Sequence, residues 1–147
     1  MKLSTKSTYG LRAMLNIALE ADKKAISILD ISNREGISIA YLEQILNRLK
    51  RESLVKSIRG PKGGYLLAKS ADKITVGDIV RTMDGEISPV HCVTTTKDQA
   101  TSCKMSKGCV PKIVWMKLAE AISGCLESIT LKDLCREARN VGPKRCL

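Results

Sequence analysis

The chain carries LVKSIRGPKGGYLLA at residues 54–68, and this stretch decides its fold. Residues 55–59 have the composition of a short strand, and residues 65–68 predict a second strand. Between them, the glycines and the proline of residues 60–64 predict a turn. We therefore expect a β-hairpin in the middle of the chain.

Two short helices precede this hairpin. Ser27 is suited to cap the first, which is predicted to stop at Gly36, a natural left-handed cap. The second is predicted to start at Ser38, because apolar residues then recur at the helical spacing i, i+3, i+4 and i+7: Leu42, Ile45, Leu46 and Leu49. Helix, turn, helix and hairpin follow one another in a winged helix-turn-helix domain. A generic small α+β domain with a surface hairpin is the alternative.

Four further helical segments surround this unit. Ser, Thr and Gly signals and helical periodicity mark their ends, with Thr75 and Thr130 suited to cap two of them. The fold class is therefore mainly α with a small β-hairpin wing. The predicted bounds are residues 3–21, 76–83, about 111–129 and 131 to about 139, with a loose tail from residue 140.

The composition favours a polyanionic partner and a reducing compartment. The 147 residues include no Phe. Their net charge of +10 is typical of nucleic-acid-binding proteins, although it is not specific to them. No apolar run has the length of a signal peptide or a membrane span, so we expect no membrane association and a cytoplasmic location. Clustered cysteines in that compartment more often bind metal or do redox work than form disulfides.

The polar side of the third predicted helix suits base edges in a major groove. Gln44 can pair with adenine through both polar atoms of its amide, and Glu43 can accept a hydrogen bond from cytosine. Ser38 and Tyr41 lie at the N-terminal end, the part that recognition helices insert into the groove. An ordinary solvated helix face is the alternative.

Charge placement favours DNA over that alternative. Between Asn47 and Lys62 the chain has six basic residues and one acidic residue, Glu52. Arg59 is placed to enter a narrow minor groove, and glycines such as Gly63 allow the hairpin tip to approach a sugar-phosphate strand. The basic residues are Arg48, Lys50, Arg51, Lys56, Arg59 and Lys62, and all but Lys50 and Lys56 are predicted to contact double-stranded DNA.

The long helix after Pro111 predicts a homodimer. Its apolar stripe is continuous over more than four turns: Ile113, Met116, Ala119, Ile122, Leu126 and Ile129. A core helix of a monomer is the alternative, but a second copy would bury the stripe more economically. Two recognition helices related by a twofold axis would then bind a palindrome-like operator.

Several segments resemble the IscR-type iron–sulfur cluster regulators. They are MKLSTK with YGLRAM at residues 1–6 and 9–14, YLEQ at 41–44, VKSIRGPKGGYLL at 55–67 and ITVGDI at 74–79. The resemblance extends from Met1 to about Leu134. It implies a winged helix domain, a cluster-binding loop and a long dimerisation helix in a transcriptional regulator. It also implies that Tyr41, Glu43, Gln44 and Arg59 match positions that contact DNA or discriminate between operators.

Three loop cysteines are the candidate cluster ligands. Cys92, Cys103 and Cys109 are separated by ten and then five residues, and thiolates are the usual ligands of iron–sulfur clusters. By spacing alone, a zinc site or redox thiols are equally compatible, since no CxxC pair is present. The resemblance favours a cluster of the [2Fe–2S] form.

The sequence departs from the family pattern at the fourth ligand. Members commonly have five residues in the first cysteine gap and a histidine three residues after the last cysteine, where this chain has Lys112. The only histidine, His91, adjoins Cys92 and is a possible ligand, but neighbouring residues rarely reach one cluster together. Of the other cysteines, Cys125 and Cys135 are predicted to be core residues, and Cys146 lies in the tail.

These predictions divide the chain into a winged helix-turn-helix domain (1–84), a cluster-binding loop (85–110), a dimerisation helix (111–130) and a short C-terminal helix with its tail (131–147). We expect a regulator that senses cluster status and controls cluster-biogenesis genes. The alternative is a cluster-free regulator of the same fold that responds to a protein partner, nitric oxide or thiol oxidation, for example in cysteine metabolism. An enzyme is disfavoured, because no acid-rich constellation or nucleotide-binding motif accompanies the cysteines.

Overall fold

The computed structural model describes residues 3–21, 24–93 and 108–142. In these ranges the chain is mainly helical with one antiparallel β-hairpin, as predicted. The elements are α1 (Thr5–Glu20), α2 (Ile28–Glu35), α3 (Ile39–Arg51), β1 (Val55–Ile58), β2 (Gly64–Leu67), α4 (Val76–Asp84), α5 (Lys112–Glu127) and α6 (Leu131–Val141), with 3-10 turns at Ala71–Lys73 and His91–Val93.

Side-chain caps fix where the helices begin. The hydroxyl of Ser27 accepts a hydrogen bond from the backbone N–H of Asp30, and that of Ser38 accepts one from Tyr41 at 3.3 Å. Each cap satisfies an amide that has no partner inside its helix. Gly36 ends α2 in the left-handed conformation, with φ 66° and ψ 30°. The predicted helix-turn-helix is confirmed.

Two predicted helix ends are wrong. α1 begins at Thr5 rather than Leu3, because Ser4 is its N-cap and accepts a hydrogen bond from Ser7 N–H. α6 continues through Val141, so Asn140 is helical and not part of a loose tail. The helix stops only at Gly142, whose φ of 73° departs from helical geometry.

The hairpin is joined by a short third segment. β1 and β2 pair in the register Val55 with Leu67 and Ser57 with Tyr65. Ile26, before α2, adds a bridge on the outer edge of β2, with reciprocal hydrogen bonds to Tyr65 of 3.1 and 2.8 Å. A Cβ on Gly64 would lie 2.3 Å from the Ile26 carbonyl oxygen, so this close approach requires glycine.

An aliphatic core joins α1, α3, α4 and the hairpin base, and the last helix contributes to it. Met14 of α1 and Leu131 of α6 are fully buried in the same cluster, and Cys135 is buried there too, as predicted. Where α1 crosses α4, a Cβ on Gly10 would lie 3.1 Å from Met83 Cγ, so the two helices pack closely. The other fully buried large side chains are Ile17, Ile31, Leu42, Ile45, Leu46, Leu49, Val55, Ile74 and Ile79.

α5 differs from every other helix of eight or more residues that the structure describes, because no residue in it is buried. It packs on α4 and on the 3-10 turn at 91–93. The predicted apolar stripe is divided: Ala119, Ile122 and Leu126 are half-buried, whereas Ile113 and Met116 are exposed. Cys125 is exposed, so its assignment to the core is wrong. Cys125 directly precedes the half-buried Leu126 and is rotated from it by about 100° around the helix axis.

No helix within the described ranges is long and apolar enough to cross a membrane.

Candidate DNA interface and cysteine site

α3 has a buried apolar side and an exposed polar side. Leu42, Ile45, Leu46 and Leu49 are buried, and this fixes the rotation of the helix about its axis. The predicted base-contacting residues Glu43 and Gln44 consequently lie on the exposed side, and Ser38 is exposed at the N-terminus. Arg48 and Arg51 are exposed in the last turns. The structure therefore brings these predicted site residues onto one helix surface.

Tyr41 is anchored more firmly than its neighbours. It is half-buried, and its ring meets the edge of Tyr9 with centroids 5.8 Å apart and an interplanar angle of 85°. The guanidinium of Arg12 lies 5.6 Å from the Tyr9 ring centroid. Edge-to-face aromatic pairs and cation–π contacts are both attractive. This stack fixes the N-terminal end of α3 against α1.

Arg48 has a structural contact that its charge alone did not predict. Its Nη1 donates a hydrogen bond to the backbone carbonyl of Met83 at 3.2 Å. Met83 lies in the last turn of α4, where carbonyls lack helical partners and the helix dipole is negative. Arg48 thus links α3 to the C-terminal end of α4.

The hairpin is fastened to α3 through one side of its pleat. Lys50 Nζ donates to Ser57 Oγ at 2.6 Å. Tyr65, the cross-strand partner of Ser57, is close enough to Glu43 to feel its charge: partial burial and then Glu43 raise the pKa of the Tyr65 hydroxyl. The side of the hairpin that carries Ser57 and Tyr65 therefore faces α3.

The hairpin tip presents Arg59 and Lys62 to solvent. Gly63 N–H donates to the Gly60 carbonyl at 2.9 Å, and Gly60 has a φ of 112°. A Cβ on Gly63 would lie 2.2 Å from the Ile58 carbonyl oxygen. The tip glycines are thus required by the turn itself, whatever approaches it.

A polar cluster between α1 and α2 was not identified from the sequence. Glu35 pairs with Arg12, with Nε 2.5 Å from Oε2, and accepts a hydrogen bond from Asn16 Nδ2 at 2.6 Å. Arg12 also donates to the Glu35 carbonyl at 3.1 Å. Asn16, polar within the apolar stripe of α1, was the available signal. The cluster fixes the end of α2 just before the turn to α3.

Two of the three predicted cluster ligands lie in described residues. Cys92 is half-buried in the 3-10 turn that packs on α5, and Cys109 is half-buried just before α5, where its carbonyl accepts a hydrogen bond from Lys112 N–H at 3.2 Å. Cys103 lies outside the described residues, as does Cys146. Among the residues described, no three His, Cys, Asp or Glu side chains form a metal-binding group.

The C-terminal end of α5 is fastened to α4. Arg81 of α4 forms ion pairs with Glu127 of α5 at 2.6 Å and with Asp78 at 3.0 Å. Burial opposes this cationic form, but the hydrogen bonds and charges of both acids outweigh it and raise the pKa of Arg81. The hydrogen bond from Arg48 to the Met83 carbonyl links α3 to α4, and the ion pair of Arg81 with Glu127 links α4 to α5.

Known proteins match this chain over most of its length. The model of the Rrf2 family, iron-dependent transcriptional regulators, matches residues 3–137. The HTH-type transcriptional regulator IscR of Erwinia tasmaniensis is 40% identical over 134 residues, which cover 91% of this chain and 78% of the relative. The predicted resemblance to IscR-type regulators is confirmed.

Two solved structures share the fold closely. T. potens IscR superposes with a TM-score of 0.78 at 34% identity, over 99% of this chain and 93% of that one. CymR, the global cysteine regulator of B. subtilis, superposes with a TM-score of 0.77 at 36% identity, over 93% of this chain and 98% of that one.

Proposed function

Because this chain belongs to the Rrf2 family of iron-dependent transcriptional regulators, we propose that it is a homodimer whose operator affinity depends on an iron–sulfur cluster held by Cys92, Cys103 and Cys109. The operator is a palindrome-like site in double-stranded DNA. The observation that carries the proposal is the exposed polar side of α3, with a basic hairpin tip beside it.

The proposed DNA surface consists of α3 and the hairpin tip. Gln44 and Glu43 contact base edges in the major groove, and Arg59 enters the adjacent minor groove. Tyr41 combines a groove contact with its packing on Tyr9, and Arg48 fixes α3 to α4. The remaining members contact sugar and phosphate: Ser38, Arg51, Lys62 and Gly63.

A second copy is the proposed cover of α5. Ile113, Val114 and Leu118 are 57%, 58% and 41% exposed, whereas positions 119, 122 and 126 of the same helix are half-buried. An apolar helix face of this extent is destabilising in water. Two such helices that pack against each other would place two copies of α3 about a twofold axis.

The cysteines fit an iron–sulfur cluster by their chemistry. Cys92 and Cys109 are half-buried thiols that form no disulfide, and both adjoin α5. Thiolates are the ligands that such clusters prefer, and a bound cluster supplies sensitivity to iron supply and oxidants. Cys103 is proposed as the third ligand from the sequence, and the fourth ligand stays open among His91, another side chain, an external thiol and a water. We propose the [2Fe–2S] form on the resemblance alone.

The chain's own contacts supply a path from the cysteines to the DNA surface. The 3-10 turn with Cys92 packs on α5, Glu127 of α5 pairs with Arg81 of α4, and Met83 of α4 accepts a hydrogen bond from Arg48 of α3. Ligation of Cys92 and Cys109 would fix the segments on both sides of residues 94–107 relative to α5. A change in the position of α5 would then shift α3 through these contacts. The cluster-bound and cluster-free states would consequently differ in operator affinity.

Anaerobic purification, with iron and sulfide analysis and visible absorption, tests the cluster. We expect colour and iron in the wild type, and their loss in the Cys92→Ala, Cys103→Ala and Cys109→Ala variants. Cys125→Ala is the matched control, because this thiol is exposed on the outer side of α5. A wild-type protein that stays colourless after reconstitution would exclude the cluster while leaving the DNA-binding function intact.

A cluster-free regulator is the second candidate. It is favoured by the similarity to CymR, because the fold of this chain superposes on CymR as closely as on T. potens IscR. The exposed Cys125 thiol would then be the accessible group for thiol oxidation. In that case Cys125→Ala would abolish the response of DNA binding to peroxide. A variant with Cys92, Cys103 and Cys109 all replaced by Ala would keep that response.

A further inference from the structure

The back of the hairpin forms one wall of a cavity of about 680 Å³ that opens widely to solvent. Its other walls come from the C-terminal end of α1, the turn at 71–73 and one side of α6. This volume lies in the range of small-molecule sites. None of the contacts proposed above for DNA, the dimer or the cysteines uses this cavity.

The cavity wall is strongly basic. Lys56, Lys69, Lys132, Arg136 and Arg139 line it, against one acid, Asp72. Hydrogen bonding to Ser70 and then the nearby lysines, Lys132 among them, lower the pKa of Asp72, so that this carboxylate stays charged. Arg136 is partly compensated by Asp133, at 3.2 Å. A surplus of positive charge remains, and it favours an anion.

The floor of the cavity is apolar and made of small or aliphatic groups. Ala18 of α1 and its C-cap Ala21 leave the space open, and Leu66 and Cys135 close it. Basic groups around an apolar floor suit a ligand with anionic ends and an aliphatic body. They suit a bare inorganic ion less well, because such an ion would leave the floor uncovered.

The pleat of the hairpin separates this cavity from the DNA surface. Ser57 and Tyr65 face α3, as Lys50 and Glu43 show. The adjacent cross-strand pair, Lys56 with Leu66, points to the opposite side of the sheet and lines the cavity. A duplex in contact with α3 would therefore approach the other face of the hairpin and leave the cavity uncovered.

We propose that this cavity is a binding site for a small organic dianion with an aliphatic body, placed on the back of the wing. Lys69 and Lys132 bind its two anionic ends, and the floor of Ala18, Ala21 and Leu66 contacts its body. Because Lys56 and Leu66 alternate with residues that contact α3, occupancy is positioned to act on the wing.

Calorimetric titration of the full chain tests the site, with adipate as the dicarboxylate, pyrophosphate as the inorganic polyanion, and acetate and 1,6-hexanediol as the monoanion and the neutral analogue. We expect saturable binding of adipate at one site per chain, weaker binding of pyrophosphate, and none of the other two. Tighter binding of pyrophosphate would overturn the aliphatic part of the proposal.

Charge variants separate the cavity from general electrostatics. Lys69→Ala with Lys132→Ala should weaken adipate binding about tenfold or more. Lys117→Ala, which removes an exposed charge from α5, should change it less than twofold. An equal loss in both proteins, or no saturable binding in the wild type, would overturn the site. If the cavity variant instead weakens operator binding without adipate as much as Arg59→Ala does, the cavity is a DNA-backbone contact and the proposal is wrong.

Discussion

Thr75 and Thr130 form an antiparallel bridge that holds the N-termini of α4 and α6 side by side. The bridge is symmetric: Val76 N–H donates to the Ile129 carbonyl, and Leu131 N–H donates to that of Ile74, both at 2.9 Å. Each threonine also caps its own helix in a capping box with the aspartate three residues on. The matched segments ITVGD and ITLKD carry this symmetry in the sequence. The bridge anchors the C-terminal end of α5 to the domain that carries α3.

Removal of one cap should destabilise the whole fold. Thr130→Ala deletes the hydroxyl that accepts from Asp133 N–H, and a lost cap of this kind costs about 1 kcal/mol. Urea unfolding of the metal-free protein measures the change in the free energy of unfolding. Thr130→Ser should recover most of it. Thr82→Ala is the control, because its hydroxyl bonds only within α4, to the Asp78 carbonyl. Equal losses in both alanine variants would contradict the capping role.

Asp78 should make stability depend on acid pH. Burial raises the pKa of its carboxyl, but hydrogen bonds to Thr75 and the charge of Arg81 outweigh burial, and the net pKa lies below the ordinary 3.8. A carboxyl with a depressed folded pKa contributes stability above its unfolded pKa and loses it as pH falls through the folded value. Asp78→Asn should therefore cost up to about 1 kcal/mol at neutral pH and less at about pH 3. A cost that does not change with pH would contradict the assigned ion pair.

Arg59 should contribute affinity at the hairpin tip. Its side chain is exposed and placed for a narrow, electronegative minor groove. Arg59→Ala is expected to weaken operator binding about five- to tenfold at fixed salt, and to lower the slope of log affinity against log salt by about 0.9. Gel-shift or fluorescence titration at several salt concentrations measures both. Lys117→Ala, on α5, should leave the slope unchanged.

Gln44 should contribute specificity. A side-chain amide bonded to one base discriminates by about 1–3 kcal/mol against the wrong base. Gln44→Ala should therefore relax preference at one position of each half-site and leave the salt dependence unchanged. Selection from randomised operators, with Asn33→Ala on α2 as a surface control, detects this change. Uniform weakening across all positions would show that Gln44 contacts no base.

The outer side of α5 should control the oligomeric state. Leu118→Asp places a charge in the apolar surface proposed to meet the second copy, and should raise the dimer dissociation constant by at least about tenfold. Sedimentation at several concentrations measures this, and circular dichroism checks that the helices remain. Lys117→Ala, next to it on the same helix, should stay dimeric. A monomeric wild type would contradict the dimer itself.

Local signals predicted the helices and the hairpin, apart from the start of α1 and the end of α6. Ser27, Ser38, Thr75 and Thr130 were identified as caps because a cap needs only a side-chain oxygen at the right distance along the chain. The hairpin followed from its turn residues, and the exposed side of α3 from the i, i+3, i+4 spacing of its leucines and Ile45. The resemblance, carried mainly by the hairpin, added the family and the choice of an iron–sulfur cluster over zinc or redox thiols for the three cysteines.

Contacts between distant segments were decided only by the tertiary structure. Ile26 joins Tyr65, Arg48 binds the Met83 carbonyl, and Arg12 with Asn16 holds Glu35, across separations that no periodicity encodes. Cys125 was assigned to the core because free cysteine often packs as a small apolar group, and a helical segment does not reveal which of its sides meets its own domain. The sequence alone determined which segments are helix and strand and which side chains they carry. Packing in three dimensions decided which polar groups meet and which apolar side chains of α5 stay exposed, because burial depends on all the segments together.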